Sequence, residues 1–396
     1  MRALLLEAVG RLRGRTALAL GLASLVALLA APAAGAAVPK VFWGIVPQSA
    51  QPLSHLQRAK KGGVDSERVS ISWPSLQPTA GSPPNFSAFD QTVENASRAG
   101  LEVLPAIYGS PSWVSKPFNT LPVRTAKQRG AWSALLKAFV RRYGPQGSFW
   151  ADNPGVPRNP IRNVQIWNEE NFFYFVQRPS ASQYGKLVKI SHRAIASVSP
   201  GVKVILGGMF GLPANPPPKA YFASTFLSKM YRSTPGVRAS FDGVALHPYT
   251  RSFKYVKPQI EAIRAVMRAN GDGGKGLWIT EMGWGSGHGN NSFEKGPKGQ
   301  VRQLKGAFAM LRNNRSKWRI KRVYWFSLDD LPGACNFCGS TGLFGAGFKP
   351  KASWYAYAKF AGGNPSARVN TATARAFSVP SAPKLTYEHP AGWPSR

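Results

Sequence analysis

Two glutamates stand where apolar runs end. Glu169 follows Val164-Gln165-Ile166-Trp167-Asn168, and Glu281 follows Leu277-Trp278-Ile279-Thr280. Burying a carboxylate at the end of an apolar strand costs several kcal/mol unless a partner or a reaction compensates. The chain holds only 17 Asp and Glu against 51 Lys and Arg, so two glutamates in such places are hard to assign to chance. His247-Pro248-Tyr249 ends a third apolar run, Arg68 lies within a fourth and Trp325 late in a fifth. Carboxylates, an imidazole, a phenol and a guanidinium are the groups that move protons and stabilise charge. Plainer alternatives exist for each: a helix cap for Asn168 and Glu169, a buried ion pair with Arg68 for Glu281, a satisfied core histidine for His247.

These residues are informative only if the elements around them bring them together. Strand-like runs occupy residues 41–46, 68–73, 101–108, 164–168, 202–208, 241–248, 276–283 and 322–328. Between them lie stretches with apolar residues at helical spacing: 54–62, 86–98, 125–143, 182–197, 220–231, 258–270 and 298–313, with 353–360 closing the set. Eight strand–helix pairs in series predict an α/β fold with a parallel sheet closed as a (β/α)8 TIM barrel. A doubly wound open sheet is the alternative, but Ile45-Val46-Pro47-Gln48 after the first run is not a glycine-rich phosphate turn.

Barrel enzymes carry their chemistry at the carboxyl ends of the strands. Asn168 and Glu169 end the fourth strand, His247 and Tyr249 the sixth, and Glu281 the seventh. Two carboxyl groups across a barrel mouth suit glycosidic bond cleavage. A separation of ~5–5.5 Å makes one of them a nucleophile and gives retention, whereas ~6.5–9.5 Å admits a water and gives inversion. Aromatic residues near strand ends offer faces for sugar rings, among them Trp43, Trp73, Tyr108, Trp113, Phe172, Tyr174, Trp284 and Trp325.

At this point the chain resembles the clan A retaining glycoside hydrolases, most closely their family 39 and family 5-like secreted bacterial members. Ile166-Trp167-Asn168-Glu169-Glu170-Asn171 is similar to the W-N-E-P-N signature of their fourth strand. Trp278-Ile279-Thr280-Glu281-Met282-Gly283-Trp284 is similar to their nucleophile strand. His247-Pro248-Tyr249, Arg68, Trp325, and Gly342-Leu343-Phe344 with Lys349-Pro350-Lys351 resemble further motifs in the same order. The resemblance covers essentially the whole mature chain. It implies Glu169 as acid/base, Glu281 as nucleophile and Asn168 on the substrate 2-hydroxyl. Arg68 and Tyr249 would orient Glu281, and His247 would support Glu169. Trp325, Trp284 and Trp113 are expected to contact substrate. The implied activity needs neither metal nor cofactor. Glu170 departs from the signature, which has Pro there; facing the cleft it would raise the pKa of Glu169, and facing outward it would be harmless.

The flanks carry a different message. Residues 1–36 read as an export signal: four Arg at positions 2, 11, 13 and 15, an apolar run over 16–30, and Ala34-Gly35-Ala36 as a cleavage site. The run is too short to span a bilayer, which needs ~20 apolar residues. The expected organisation is therefore a signal at 1–36, a catalytic barrel at 37–363 and a basic tail rich in Pro, Ser and Thr at 364–396, in a secreted monomer without membrane insertion. Cys335 and Cys338 are the only cysteines. In an exported chain, with no second C-x-x-C and no His nearby, a small disulfide is expected rather than a redox pair or half a zinc site.

A net charge of +34 favours polyanionic surroundings, an acidic polysaccharide or wall polymer among them. The cations are scattered and no nucleic-acid-binding motif accompanies them, so nucleic acid is not an expected partner. The alternative to an enzyme is a catalytically silent barrel that holds an anionic polysaccharide or cell-wall polymer. Subsite specificity is expected in the loops at 144–159, 211–218 and 285–299.

Overall fold

The structure is a computed structural model describing residues 38–289, 291–333 and 337–367. The expected export signal, Cys335 and residues 368–396 of the tail lie outside the described residues.

Eight parallel strands form the sheet: β1 (Trp43–Val46), β2 (Ser66–Ser72), β3 (Glu102–Tyr108), β4 (Asn163–Ile166), β5 (Lys203–Ile205), β6 (Gly243–His247), β7 (Gly276–Ile279) and β8 (Ile320–Phe326). Each pairs with the next. β1 also pairs with β8 through Gly44↔Tyr324 and Ile45↔Trp325, and β5 with β6 through Ile205↔Gly243, so the sheet has no free edge. It is a closed (β/α)8 barrel, as the alternation of runs predicts. Eight helices alternate with the strands: α1 (Leu53–Lys61), α2 (Ser87–Ala99), α3 (Ala126–Tyr143), α4 (Ala181–Ala196), α5 (Ala223–Ser233), α6 (Val256–Ala269), α7 (Gly296–Asn313) and α8 (Ala352–Ala361). No described helix is long and apolar enough to cross a membrane.

Local chemistry explains most of these boundaries. α3 starts at a capping box, in which Thr125 Oγ1 accepts from Gln128 N while Gln128 Oε1 accepts from Thr125 N. α2 stops at Gly100, whose φ of 72° suits a residue without a Cβ. α3 and α4 are pinned to one another by Trp132, which donates from its indole to Ser191 Oγ. The first tail residues are tied to α1 and α8, with Asn364 N donating to Lys61 O and Trp354 Nε1 of α8 donating to Pro365 O.

Two elements differ from expectation. The fifth strand does not run through 202–208: it stops at Ile205 and resumes as a two-residue strand, Met209–Phe210, paired with β6. The break falls at Gly207 and Gly208. A Cβ on Gly207 would strike the Glu170 carboxylate, and one on Gly208, whose φ is 76°, would strike His247. Both glycines therefore make room for polar side chains. α5 begins at Ala223 rather than 220 because the chain before it is held elsewhere: Tyr221 N donates to Asn171 O, and Asn171 Nδ2 donates to Tyr221 O.

Candidate active site

Strand alternation decides which residues enter the barrel. On β2, Arg68 points inward and is fully buried. On β4 the inward residue is Gln165, and Arg68 Nε donates to its Oε1 at 2.7 Å. Beyond Ile166 the alternation ends, because Trp167 has a φ of 73° and Glu169 a φ of 40°, in the left-handed region that side chains rarely adopt. Trp167 stays in the layer outside the barrel, against Trp132 of α3, and donates from its indole to Phe175 O. The two turns bring Asn168 and Glu169 to the mouth and send Glu170 into the crevice opened by Gly207.

Each nitrogen of the Arg68 side chain is used. Besides Gln165, it donates at 2.6 Å from Nη1 to Glu281 Oε1 and at 2.6 Å from Nη2 to Asn168 Oδ1. Since a guanidinium only donates, the Asn168 oxygen must face it, which leaves the Asn168 NH2 unused by Arg68. Tyr249 Oη donates to Glu281 Oε2 at 2.8 Å. His247 Nδ1 lies 2.9 Å from Glu169 Oε1 and 3.6 Å from Glu281 Oε2. Its Nε2 lies 2.9 Å from Thr280 Oγ1. Glu169, His247 and Glu281 each offer a donor atom within 4.8 Å of the others. Such a trio resembles a metal ligand set, but the Arg68 cation beside Glu281 opposes a second cation there.

Electrostatics separate the two carboxyl groups. Burial raises the pKa of Glu169 well above the usual range, and the charge of Glu281 and, more weakly, Glu170 add to the rise while Arg68 opposes it. Burial also raises Glu281, but Arg68 and Tyr249 both act to hold it ionised. Glu281 accepts from two donors, whereas Glu169 Oε2 is buried without a hydrogen-bond partner. When one proton is shared between them, Glu169 keeps it. Burial, with Arg68 nearby, lowers His247 well below its ordinary value, so its imidazole is neutral. A neutral ring that accepts from the Thr280 hydroxyl at Nε2 carries its proton on Nδ1 and donates it to Glu169.

The expected site residues thus divide. Glu169, Glu281, Asn168, Arg68, His247 and Tyr249 come together. Trp284 and Trp325, expected to contact substrate, do not face the cleft. Both are fully buried, their rings 6.1 Å apart; Trp325 also packs edge-on against Phe308 of α7 and donates to Thr341 O, and Trp284 donates to Thr250 O. The inward neighbours on β8 are Tyr324 and Phe326, which belong to the aromatic cluster at the barrel centre and mouth. Trp113 is half-buried on the loop after β3, edge-on to Trp73, with its indole donating to Gln77 O. The aromatic side chains gathered around Tyr249 are instead buried Phe172, Tyr174, Phe210 and Phe337, with half-buried Phe173, Phe175 and Phe293 packed against this cluster. Cys338 is disulfide-bonded, while its expected partner Cys335 lies outside the described residues.

Sequence reasoning missed Gln165, Thr280 and the role of Gly207-Gly208. All sit inside motifs already singled out, but their contacts depend on parity and on the break in the fifth strand. Glu170 is fully buried against the Tyr184 hydroxyl and the Gly207 backbone, and burial pushes its pKa up to about 8 although both neighbours oppose the rise. An acid whose folded pKa exceeds its unfolded value of 4.5 stabilises fully below pH 4.5 and loses that contribution as pH rises to about 8. Glu170→Gln is therefore expected to stabilise the fold by several kcal/mol at pH 8 relative to its effect at pH 4, on the order set by linkage. Urea denaturation at the two pH values measures this; an equal effect at both would show that the carboxyl does not titrate between them.

Residues 177–349 match the family model described as glycosyl hydrolase catalytic core. The match contains His247, Tyr249 and Glu281 and begins after Glu169. No curated protein sequence matches the chain. Among solved structures, a family 39 glycoside hydrolase from Bacteroides cellulosilyticus WH2 aligns with a TM-score of 0.60 at 18% identity, over 82% of this chain and 65% of that one. A monomeric β-xylosidase from Caulobacter crescentus CB15 aligns with a TM-score of 0.58 at 19% identity, over 82% of this chain and 68% of that one. A GH5_18 protein from Bifidobacterium longum subsp. infantis gives 0.59 at 14% identity, over 81% and 78%. The chain thus spans just under two thirds of the first of these. At such identities the likeness is one of fold, a (β/α)8 barrel, within which residues 177–349, under half of the chain, are similar to a glycosyl hydrolase catalytic core.

Proposed function

We propose that the protein is an exported retaining glycoside hydrolase that cleaves a β-linked oligo- or polysaccharide through Glu169 and Glu281. The observation that carries this reading is the close approach of the two carboxyl groups, which offer oxygens within 4.8 Å of one another. So close an approach of their oxygens suits a direct nucleophile, with carboxyl groups ~5–5.5 Å apart, better than the ~6.5–9.5 Å gap that admits an inverting enzyme's water. In the first step Glu281 attacks the anomeric carbon while Glu169 protonates the departing glycosidic oxygen, forming a covalent glycosyl ester. In the second step Glu169, now ionised, takes a proton from water, and the hydroxide displaces Glu281.

Arg68 and Tyr249 keep Glu281 charged and aimed, and His247, fixed by Thr280, orients Glu169. The free Asn168 NH2 suits a sugar hydroxyl next to the reacting carbon. The basic segment at 1–36 supports export. The β-linkage is supported by the motif resemblance and by the β-xylosidase from Caulobacter crescentus among the proteins of like fold. Following the anomeric proton by NMR during hydrolysis of an aryl β-glycoside tests the mechanism. The first-formed sugar is expected to keep the β configuration, and initial release of the α anomer would overturn the double displacement.

A further inference from the structure

One long stretch of this chain has no acid in it. Between Glu170 and Asp242 there is neither Asp nor Glu, while nine Lys and Arg occur. The stretch includes α4 and α5, and the structure lines their surface with two adjoining cavities of about 400 and 590 Å³ that share Ser233. The larger is bordered by Arg124, Arg129, Lys186, Lys189 and Arg193, the smaller by Lys229 and Arg232. Neither has an acidic residue in its wall, and none of the seven cations has an ion-pair partner among the described residues.

Two of the cations are held in place by carbonyl groups. Lys189 Nζ donates to Pro235 O at 3.0 Å, and Arg129 Nη1 donates to Val123 O and Arg124 O. The smaller cavity also contains Tyr221, with Lys229 Nζ 4.3 Å from its ring centroid. Tyr221 is hydrogen-bonded through its backbone to Asn171, two residues from Glu169, so the upper end of this surface is anchored to the catalytic strand.

We propose that this groove is a docking surface for a uronate-type polysaccharide, one carrying a carboxylate on each sugar. From Ala181 to Arg193 the groove follows α4 for about 18 Å at 1.5 Å per residue. Lys186, Lys189 and Arg193 fall on one side of the helix, roughly one per 5.4 Å turn. That spacing suits a polymer with a single charge per repeat better than a nucleic acid duplex, which presents a charge about every 1.7 Å of its axis. Tyr221 adds a face for a sugar ring. The choice of a glycan as occupant rests on the hydrolase reading; the basic groove itself does not. Docking there would hold a long chain along α4, from beside the mouth at Ala181 toward the far end of the barrel at Arg193, and raise its local concentration at Glu169 and Glu281.

The test uses the whole protein with polygalacturonate, its neutral methyl ester and double-stranded DNA as probes. Three proteins are compared: the wild type, Lys186→Gln/Lys189→Gln/Arg193→Gln, and a control with the same charge loss elsewhere, Lys257→Gln/Lys298→Gln/Lys305→Gln. The wild type is expected to bind polygalacturonate in a salt-sensitive manner and to ignore the methyl ester. The groove variant is expected to lose about tenfold or more in affinity, and the control less than about threefold. Hydrolysis of a small aryl glycoside is expected to be unchanged in all three. Equal losses in both variants would assign binding to overall charge and overturn the groove. Tighter binding of DNA than of polygalacturonate would overturn the occupant. Absence of aryl glycosidase activity from the wild type would instead count against the hydrolase reading, whatever the binding result.

Discussion

Glu281→Gln is expected to abolish turnover while leaving the barrel folded. The amide is nearly the same size and still accepts from Arg68 or Tyr249, but it cannot form the glycosyl ester. Loss of a nucleophile costs about 10⁴ or more in kcat. Arg68 would lose its charged partner yet keep Gln165 and Asn168 as acceptors. A second consequence follows from the pairing. Burial and the charge of Glu281 together raise the pKa of Glu169, so removing that charge lowers the pKa toward the ordinary carboxylate range while burial still raises it. Steady-state kinetics with an aryl glycoside, together with a urea melt, measure both parts. Activity close to that of the wild type in a folded variant would remove Glu281 from the mechanism.

Glu169→Gln is expected to discriminate between leaving groups. General acid catalysis contributes about 10²–10⁴-fold where the departing oxygen needs a proton, and little where it does not. An alkyl or sugar leaving group should therefore lose about that factor, whereas a dinitrophenyl glycoside should still transfer its sugar to Glu281. Hydrolysis of the ester would then be slow for want of a base, giving a burst of dinitrophenol. Azide, which needs no base, should relieve the slow step and yield a β-glycosyl azide. A loss of equal size with every leaving group would show that Glu169 is not the acid. His247 remains able to donate to the new amide oxygen, so orientation is largely preserved and the effect reports the proton.

Much of the architecture was legible because it rests on local rules. Eight apolar runs alternating with amphipathic stretches permit few solutions, and the helix ends at Thr125 and Gly100 follow from capping and left-handed backbone. The order of Arg68, Glu169, His247, Tyr249 and Glu281 along the strands placed them at one end of a closed sheet, which is why they meet. The tryptophans were harder to read. A strand of a parallel barrel is buried on both faces, so its residues are apolar on both, and nothing in Val323-Tyr324-Trp325-Phe326 says which set points inward. The register that pairs Gly44 with Tyr324 decides it: Tyr324 and Phe326 enter the barrel, and Trp325 packs under α7.

The sequence by itself determined the fold class, the two carboxyl groups and the residues that accompany them, because strand ends in a barrel converge whatever the details of their packing. Only the tertiary structure decided the separation of Glu169 from Glu281, which of them has the donors, and where Glu170 goes. Those depend on distances between strands four and seven and on two left-handed residues in β4's last turn. They depend also on a glycine break in the fifth strand that leaves room for a buried carboxyl group. Such contacts are made between residues far apart in the chain, and no local pattern encodes them.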